Sequence, residues 1–275
     1  MLSLSASKKV NREAMSTYPS HFPAPHVHVL GVPIHAATFE SLLAAIAQWV
    51  AEGRADPAAP TRQICTVSPE FVMIAQQDAE FMRVLRRADL CVADGVGLLW
   101  AARYLGRPLP ERVTGSDGVP LIAERAAQEG WRLYLLGAAP GIAERAADVL
   151  RARYDGVQIV GTYAGSPAPE EEAEIVARVN ASGAEILFVA YGAPQQEKWI
   201  ARNRARLDVS VAMGVGGTFD FLAGVVPRAP RWMQRVGLEW LFRLLRQPWR
   251  WRRMLRLPRF VWAVWRHREH PLSEN

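Results

Sequence analysis

The stretch of residues 185–217 reads EILFVAYGAPQQEKWIARNRARLDVSVAMGVGG. An apolar run over 185–190 predicts a strand, a Gly-Ala-Pro turn leads into a helix that ends at Arg204, and a second apolar run at 209–213 predicts another strand. A glycine-rich turn at 214–217 follows it. A strand, a crossover helix and another strand in this order are typical of a parallel β-sheet covered by helices.

The same alternation continues through the rest of the chain. Apolar runs predict further strands at 26–34, 62–67, 90–93, 131–136 and 157–162. Apolar residues at helical spacing predict helices at 39–50, 69–88, 96–105, 116–128, 142–154 and 169–181. Strands that alternate with such helices predict an α/β fold, a Rossmann-like, open and mostly parallel sheet with helices on both faces. Ser116 and Asp117 are the predicted caps of the helix that they open.

The composition is that of an ordinary globular protein. The chain has 275 residues, of which 50% are hydrophobic and 22% charged, and this excludes a disordered or collagen-like chain for most of its length. Cys65 and Cys91 lie in apolar runs, so we expect a reduced, cytoplasmic protein. No apolar run is long enough for a transmembrane helix. We expect a disordered leader at 1–25, an α/β domain at 26–226 and a basic helical appendage at 227–275.

The appendage carries the positive charge of the protein. From Val226 to the last residue there are twelve Arg and three Glu, a net charge of +9, whereas the whole chain carries +6. Six of the ten Trp lie in the same segment. A basic segment rich in Trp is suited to a diphosphate, a polyanion or the anionic surface of a membrane.

One apolar stripe runs along the first predicted helix of the appendage. Its members are Met233, Val236, Gly237, Trp240, Leu241, Leu244 and Leu245. Such a stripe is expected to be buried against the domain or against another subunit. A homo-oligomer is therefore one of the two possibilities. A last helix is predicted to begin at Pro258. Four arginines are spaced to share one helical face, and they are Arg243, Arg246, Arg250 and Arg253.

Polar or glycine-rich residues follow most of the predicted strands. Because ligands of parallel α/β sheets bind beyond the carboxyl ends of the strands, these positions together predict one site. Glycine turns let backbone N–H groups approach a phosphate, although tight packing of helix on strand is the commoner reason for them. The predicted nucleotide-binding residues are Gly137, Ala138, Gly192, Gly214, Gly216, Gly217 and Asp220.

Asp94 is the sharpest catalytic candidate. It follows the apolar run 90–93 and precedes Gly95, so its carboxylate is predicted to lie at the end of a strand, beside the ligand, where a general base is needed. A turn or a helix cap is the commoner reason for an Asp-Gly pair at such a place. The residues alone leave both interpretations open.

Two polar segments supply candidates for binding a substrate. Gln195, Gln196 and Glu197 open a predicted helix, where they either cap it or hydrogen-bond a sugar or base. Arg112 and Asp117 lie in a polar loop, where a structural ion pair is the simpler interpretation. The chain has no D-x-D, C-x-x-C or H-E-x-x-H motif. We therefore expect no metal and no cofactor, and expect arginines to neutralise any departing diphosphate.

Several strings of this sequence together resemble the WecG/TagA/CpsF family of bacterial glycosyltransferases. The resemblance covers about residues 28–265, and its last three strings are long and specific. The strings are TVSPE (66–70), ADG (93–95), ERVTGSD (111–117), YGAPQQEKW (191–199), GVGGTFD (214–220) and GLEWLFRL (237–244).

The resemblance implies an inverting transfer of a sugar from a UDP-sugar, of the N-acetylmannosamine or the glucose type, to a sugar on an undecaprenyl diphosphate lipid. Products of such enzymes enter surface polysaccharides and exopolysaccharides. The family's base is matched by Asp94 and its threonine near the acceptor sugar by Thr66, while Ser68 stands where the family commonly has Asn. Its functional appendage arginines are matched by Arg243, Arg250 and Arg253.

A lipid-linked acceptor requires a surface that meets the membrane. The Arg- and Trp-rich appendage would supply this surface, so we expect a peripheral protein on the inner face of the cytoplasmic membrane. Two other functions remain open. A Rossmann-like sheet also serves nucleotide-dependent oxidoreductases, although no dinucleotide fingerprint follows the first strand. A basic appendage also suits nucleic acid, but its apolar stripe should dock on the domain, so we expect no nucleic-acid partner.

Overall fold

A computed structural model describes residues 26–230, 232–233, 238–246, 251 and 255–269. For Arg243, Arg268 and Glu269 it describes the backbone alone. The leader predicted at 1–25 lies outside the described residues, as do Val236, Arg250 and Arg253.

Within the described residues, six parallel strands form one sheet, and two short antiparallel strands form a separate hairpin. The strands are β1 (Val27–Val29), β2 (Val32–Ile34), β3 (Arg62–Val67), β4 (Leu90–Ala93), β5 (Arg132–Gly137), β6 (Gln158–Tyr163), β7 (Ile186–Ala190) and β8 (Val211–Gly214). The order across the large sheet is β4-β3-β8-β7-β5-β6, and all of its described neighbours are parallel. The predicted open parallel sheet is confirmed, while the apolar run at 26–34 forms the hairpin beside it.

Helices connect these strands and cover both faces of the sheet. They are α1 (Phe39–Ala55), α2 (Pro69–Ala75), α3 (Ala79–Arg87), α4 (Val96–Tyr104), α5 (Gly115–Glu129), α6 (Ile142–Arg153), α7 (Glu172–Ala181), α8 (Gln195–Asn203), α9 (Thr218–Leu222), α10 (Glu239–Arg246) and α11 (Arg256–Glu269). None of the described helices is both long and apolar enough to cross a membrane.

Burial on both sides explains why β4, β7 and β8 are unbroken apolar runs. All four residues of β4 are buried. Successive side chains of β3 enter opposite layers, because side chains alternate along a strand. Ile64 packs in the layer of α1 and α5, whereas Cys65 packs in the layer of α2, α3 and α4. The strands therefore hold their carboxyl ends in fixed register between two packed layers.

Several helix boundaries differ from the sequence prediction; the last helix, for example, begins at Arg256 and not at Pro258. A capping residue explains two of the differences. The helix predicted at 69–88 is two helices, because Asp78 begins α3 by accepting a hydrogen bond from the Phe81 N–H (3.0 Å). The cap of α5 is Thr114, whose hydroxyl accepts from the Asp117 N–H (3.0 Å). The prediction that Ser116 and Asp117 cap this helix is therefore wrong, because both lie within its first turn.

The appendage packs onto the α/β domain through α11. Phe260 and Val264 are each 1% exposed and belong to the core layer that contains α2 and α4. Arg256 adds an ion pair to Glu70 of α2, with Nη1 2.6 Å from Oε1. The last helix thus docks by two buried side chains and one charge pair.

The stripe predicted along the first appendage helix is less buried than expected. In α10, Trp240 is 38% exposed and Leu245 is 70% exposed, while Leu241 and Leu244 are half-buried. Met233 is buried. The described part of α10 therefore lies at the surface of the single chain, and its apolar side chains are exposed or half-buried.

Candidate active site

A cleft of about 570 Å³ lies at the carboxyl ends of β4, β3, β8 and β7. This volume is typical of a small-molecule site. The appendage supplies part of one wall, with Glu239, Trp240 and Leu257. The predicted site residues that line the cleft are Thr66, Ser68, Asp94, Arg112, Gly192, Gln196, Gly216, Gly217 and Asp220. The fold thus brings predicted residues from five separate segments to one cleft, and four of these segments follow strands of the sheet.

Asp94 directly follows β4 and presents its carboxylate to the cleft. Its backbone N–H donates to the Val67 carbonyl (2.6 Å), which extends the pairing of β4 with β3 by one residue. Its Oδ2 accepts from the N–H of Gly115, the first residue of α5 (3.4 Å). Gly95 next to it has φ +125°, a conformation that favours glycine. The strand end, the helix start and the glycine together orient the carboxylate.

Thr66 and Ser68 lie on the neighbouring strand end. The Thr66 hydroxyl is buried and donates to the Gly214 carbonyl of β8 (3.0 Å). The Ser68 hydroxyl caps α2 by accepting from the Phe71 N–H (3.3 Å). Both hydroxyls therefore contribute to the local structure while they border the cleft.

Gln196 joins two loops of the cleft. Its Oε1 accepts from the N–H groups of Gly192 and Gly216, at 3.0 Å each. Its Nε2 donates to Oε1 of Glu197 (2.6 Å). Glu197 is wholly buried below the cleft, and burial raises the pKa of its carboxyl to about 7, despite the hydrogen bond from Gln196.

A chain of charges crosses from the domain to the appendage. Arg112 pairs with Glu239 (3.1 Å), Glu239 with Arg228 (3.4 Å), and Arg228 with Asp117 (2.6 Å). Burial raises the pKa of Asp117, but hydrogen bonds from Arg228 and Thr114 outweigh it and leave that pKa below its ordinary value. We call Arg112, Glu239, Arg228 and Asp117 the charge chain. It fixes Arg112 and Glu239 at the wall of the cleft.

Several predicted site residues do not line the described cleft. Gln195 is exposed and Asp117 is engaged with Arg228. Gly137 has φ +102° and packs so closely on β7 that a Cβ would lie 2.8 Å from the Ala190 carbonyl carbon, which gives it a structural role at this position. The remaining residues of this group are Ala138, Glu197 and Gly214.

The appendage arginines of the resemblance cannot be located at the cleft. Arg250 and Arg253 lie outside the described residues, and only the backbone of Arg243 is described. Sequence reasoning missed Arg228 and Glu239. Glu239 carried a usable signal, because it is the single acidic residue between Val226 and Arg268.

No group of three or more His, Cys, Asp or Glu suited to a metal ion occurs among the described residues. The described acids of the cleft include two that pair with arginines, Glu70 with Arg256 and Glu239 with Arg112.

Comparisons with known proteins identify the family of this chain. The model of the glycosyl transferase WecG/TagA/CpsF family matches residues 27–273. The chain therefore belongs to the WecG/TagA/CpsF family of glycosyl transferases, and this membership favours sugar transfer over the nucleotide-dependent oxidoreductase.

Two similar relatives are each named N-acetylglucosaminyldiphosphoundecaprenol N-acetyl-beta-D-mannosaminyltransferase. The relative from Bacillus spizizenii is 35% identical over 204 residues, which cover 74% of this chain and 79% of the relative. The relative from Bacillus subtilis strain 168 is 32% identical over 201 residues, which cover 73% and 78%.

Proposed function

We propose that this glycosyltransferase moves an N-acetylmannosamine-type sugar from a UDP-sugar to a sugar on an undecaprenyl diphosphate lipid, with inversion at the anomeric carbon. The observation that carries the proposal is the Asp94 carboxylate in the cleft, with Arg112 and backbone amides at the same cleft. The names of the two relatives support the acceptor and the N-acetylmannosamine unit.

Asp94 acts as the general base in this proposal. Its carboxylate takes the proton of the acceptor hydroxyl while that oxygen forms a bond to the anomeric carbon of the donor sugar. The bond from the anomeric carbon to UDP breaks on the opposite face, and UDP leaves with its electron pair. One base suffices for an inverting transfer, and the Gly115 N–H holds the Asp94 carboxylate in place during it.

Arginines and amides stabilise the charge that develops on the departing UDP. Arg112 lines the cleft with its guanidinium held by Glu239, and the loop of Gly216 and Gly217 borders the same space. Charge-assisted hydrogen bonds from such groups stabilise a diphosphate strongly in a partly enclosed site. The proposal therefore includes catalysis without a divalent metal, because Arg112 and the backbone amides take over the stabilisation that a metal would provide.

The appendage brings the cleft to the inner leaflet of the membrane in this proposal. Exposed apolar side chains on α11 and the adjoining segment accompany arginines on the same helix, a combination suited to lipid headgroups. On α4, Trp100 is 41% exposed and stacks on Tyr104. Among the described residues of the appendage, the exposed large apolar side chains are Trp232, Trp240, Leu245, Trp251, Leu255, Val261, Trp262 and Trp265.

A screen of UDP-sugars tests the proposal. The protein is incubated with each donor and a short-chain prenyl diphosphate that carries one N-acetylglucosamine, and the released UDP and the product stereochemistry are measured. Transfer from UDP-N-acetylmannosamine, with inversion and with full rate in excess EDTA, is expected. Transfer with retention, or a strict and reversible need for Mg²⁺ or Mn²⁺, would contradict the proposed mechanism.

A further inference from the structure

The Glu197 carboxyl lies directly below the cleft and has no part in the proposed transfer. The side chain is wholly buried, its Oε1 accepts from Gln196, and its Oε2 has no hydrogen-bond partner among the described residues. We propose that Glu197 is a positioning residue, which holds the two glycine loops of the cleft in place through Gln196 and the end of β8. The consequence for donor binding rests on the proposed function.

The first contact is with the Gln196 amide. Two backbone N–H groups, from Gly192 and Gly216, point at one end of this amide, so that end must be the carbonyl oxygen. The other end then carries the NH₂ group and needs an acceptor, which Glu197 Oε1 supplies at 2.6 Å. Without an acceptor there, a buried amide donor would lose its partner, and the orientation that serves both loops would lose its support.

The second contact is with the end of β8. A Cβ on Gly214 would collide with Glu197 Oε1, so the carboxyl packs directly against this part of the backbone. The carbonyl of Gly214 in turn accepts the Thr66 hydroxyl. The Glu197 carboxyl therefore contacts the end of β8 directly, and through Gln196 it is connected to the loop that follows β7.

The burial of Glu197 is consistent with a neutral acid in this place. A neutral carboxyl retains Oε1 as the acceptor for Gln196 and leaves no bare charge on Oε2. Cys65 of β3 faces the same group, and a hydrogen bond with Cys91, together with burial, raises the pKa of its thiol. The chemistry required of residue 197 is thus an acceptor oxygen at Oε1, and no charge is needed.

Amide hydrogen exchange of the intact protein tests the proposal. Glu197→Leu removes the acceptor, and exchange at the Gly192 and Gly216 N–H groups is expected to rise about tenfold or more, since their shared partner is released. Glu197→Gln retains an acceptor and should stay within about threefold of the wild type. Unchanged exchange at both glycines in the Leu variant would overturn the proposal.

Glu197→Asp is the second variant, in case the Leu variant does not fold. It keeps the carboxyl but withdraws it from Gln196, so faster exchange at the two glycines is expected, and wild-type exchange there would overturn the proposal. Glu185→Gln is the matched control, because Glu185 is a buried glutamate at the other end of β7 and pairs with Arg54. It should leave the two glycines unchanged, and a rise equal to that of Glu197→Leu would show general loosening and overturn the specific role.

Donor binding provides a separate measurement. In Glu197→Leu, the affinity for UDP is expected to fall about tenfold and the KM for the donor to rise about tenfold, while the KM for the acceptor changes little. If the wild type binds no UDP and transfers no sugar, the proposed function fails, while the exchange data still decide the positioning role. If the wild type binds UDP and the folded Leu variant binds it equally well, the positioning role fails and the proposed function stands.

Discussion

The two sides of the cleft are held by different kinds of contact. On the sheet side, Asp94, Thr66 and Gln196 are oriented by hydrogen bonds to backbone groups of neighbouring strands and loops. On the appendage side, α10 is held by ion pairs between side chains, and much of its apolar surface is exposed. Backbone contacts fix positions more tightly than long charged side chains do, so the sheet side suits the chemistry and the appendage side suits an acceptor that arrives from a membrane.

The largest expected effect is on the sheet side. Asp94→Asn keeps the shape of the side chain but removes the base, so turnover should fall by roughly 10²–10⁴-fold while UDP affinity stays nearly intact. Steady-state rates and calorimetric titration with UDP measure the two quantities. Asp148→Asn, at an exposed position on α6, is the control and should be silent. A near-wild-type rate in Asp94→Asn would remove this residue from the mechanism.

The next effect concerns the docking of α11. Phe260→Ala should destabilise the packed helix by about 3–5 kcal/mol, because a fully buried ring is replaced by a cavity. Protease sensitivity of the appendage and denaturant unfolding measure the change. The neighbouring Val261 is 47% exposed, and Val261→Ala should have little effect. Equal behaviour of the two variants would mean that α11 does not depend on this contact.

A pH series examines the buried carboxyl of the sheet side. The pKa of Glu197 is raised to about 7 in the folded protein, so the folded state binds the proton more tightly than the unfolded chain does. This group therefore stabilises the fold most at low pH, and about 3 kcal/mol of stability is lost as the pH rises from below 4.5 to above 7. Glu197→Gln should abolish this part of the slope in urea unfolding between pH 5 and pH 8. An identical slope in both proteins would argue against a raised pKa.

A smaller effect is expected when the charge chain is broken. Glu239→Gln leaves Arg112 without its charged partner, while Arg228 keeps its ion pair with Asp117. The docking of α10 should weaken by about 1–2 kcal/mol, since Glu239 is mostly buried. Hydrogen exchange within α10 measures this loss. Glu174→Gln breaks an exposed helical pair with Arg178 and should change stability by less than about 0.5 kcal/mol. No difference between the two glutamine variants would make the charge chain a surface feature without effect on docking.

The smallest effect is expected at the membrane surface. Arg259→Ala and Arg266→Ala should each weaken binding to anionic vesicles by about 1 kcal/mol, with little change in turnover on a soluble acceptor. Arg256 belongs to a different group, because it pairs with Glu70 and so supports docking. Arg125→Ala, on a helix that covers the opposite face of the sheet, is the control. If the wild type and the three variants bind vesicles equally well, these arginines do not contribute to lipid binding.

Most of the strands were predictable from the sequence because they are buried on both faces. The clearest are the unbroken apolar runs of β4 and β7, and the run that becomes β4 was predicted with its exact limits. The break between α2 and α3 was not, because the apolar residues on either side of the polar segment 76–78 keep helical spacing, and only the hydrogen bond to Asp78 reveals a new start.

The candidate site was predictable in part for a related reason. Strand ends had to meet, so Thr66, Asp94 and Gly216 could be grouped before any coordinates were known. Residue type alone could not tell whether a polar side chain borders the cleft or packs beneath it, as the neighbours Gln196 and Glu197 illustrate. The exposure of the appendage stripe could not be predicted either, since it depends on which helix of the appendage packs on the domain.

The strand order also governs when the site can exist during synthesis of the chain. β3 lies between β4 and β8, and the Thr66 hydroxyl meets a carbonyl that is 148 residues further along. A growing polypeptide therefore holds β3 with one flank unpaired until β8 has left the ribosome, and its cleft lacks part of one wall until α10 has followed. Nascent or prematurely terminated chains that lack these segments cannot form the complete cleft.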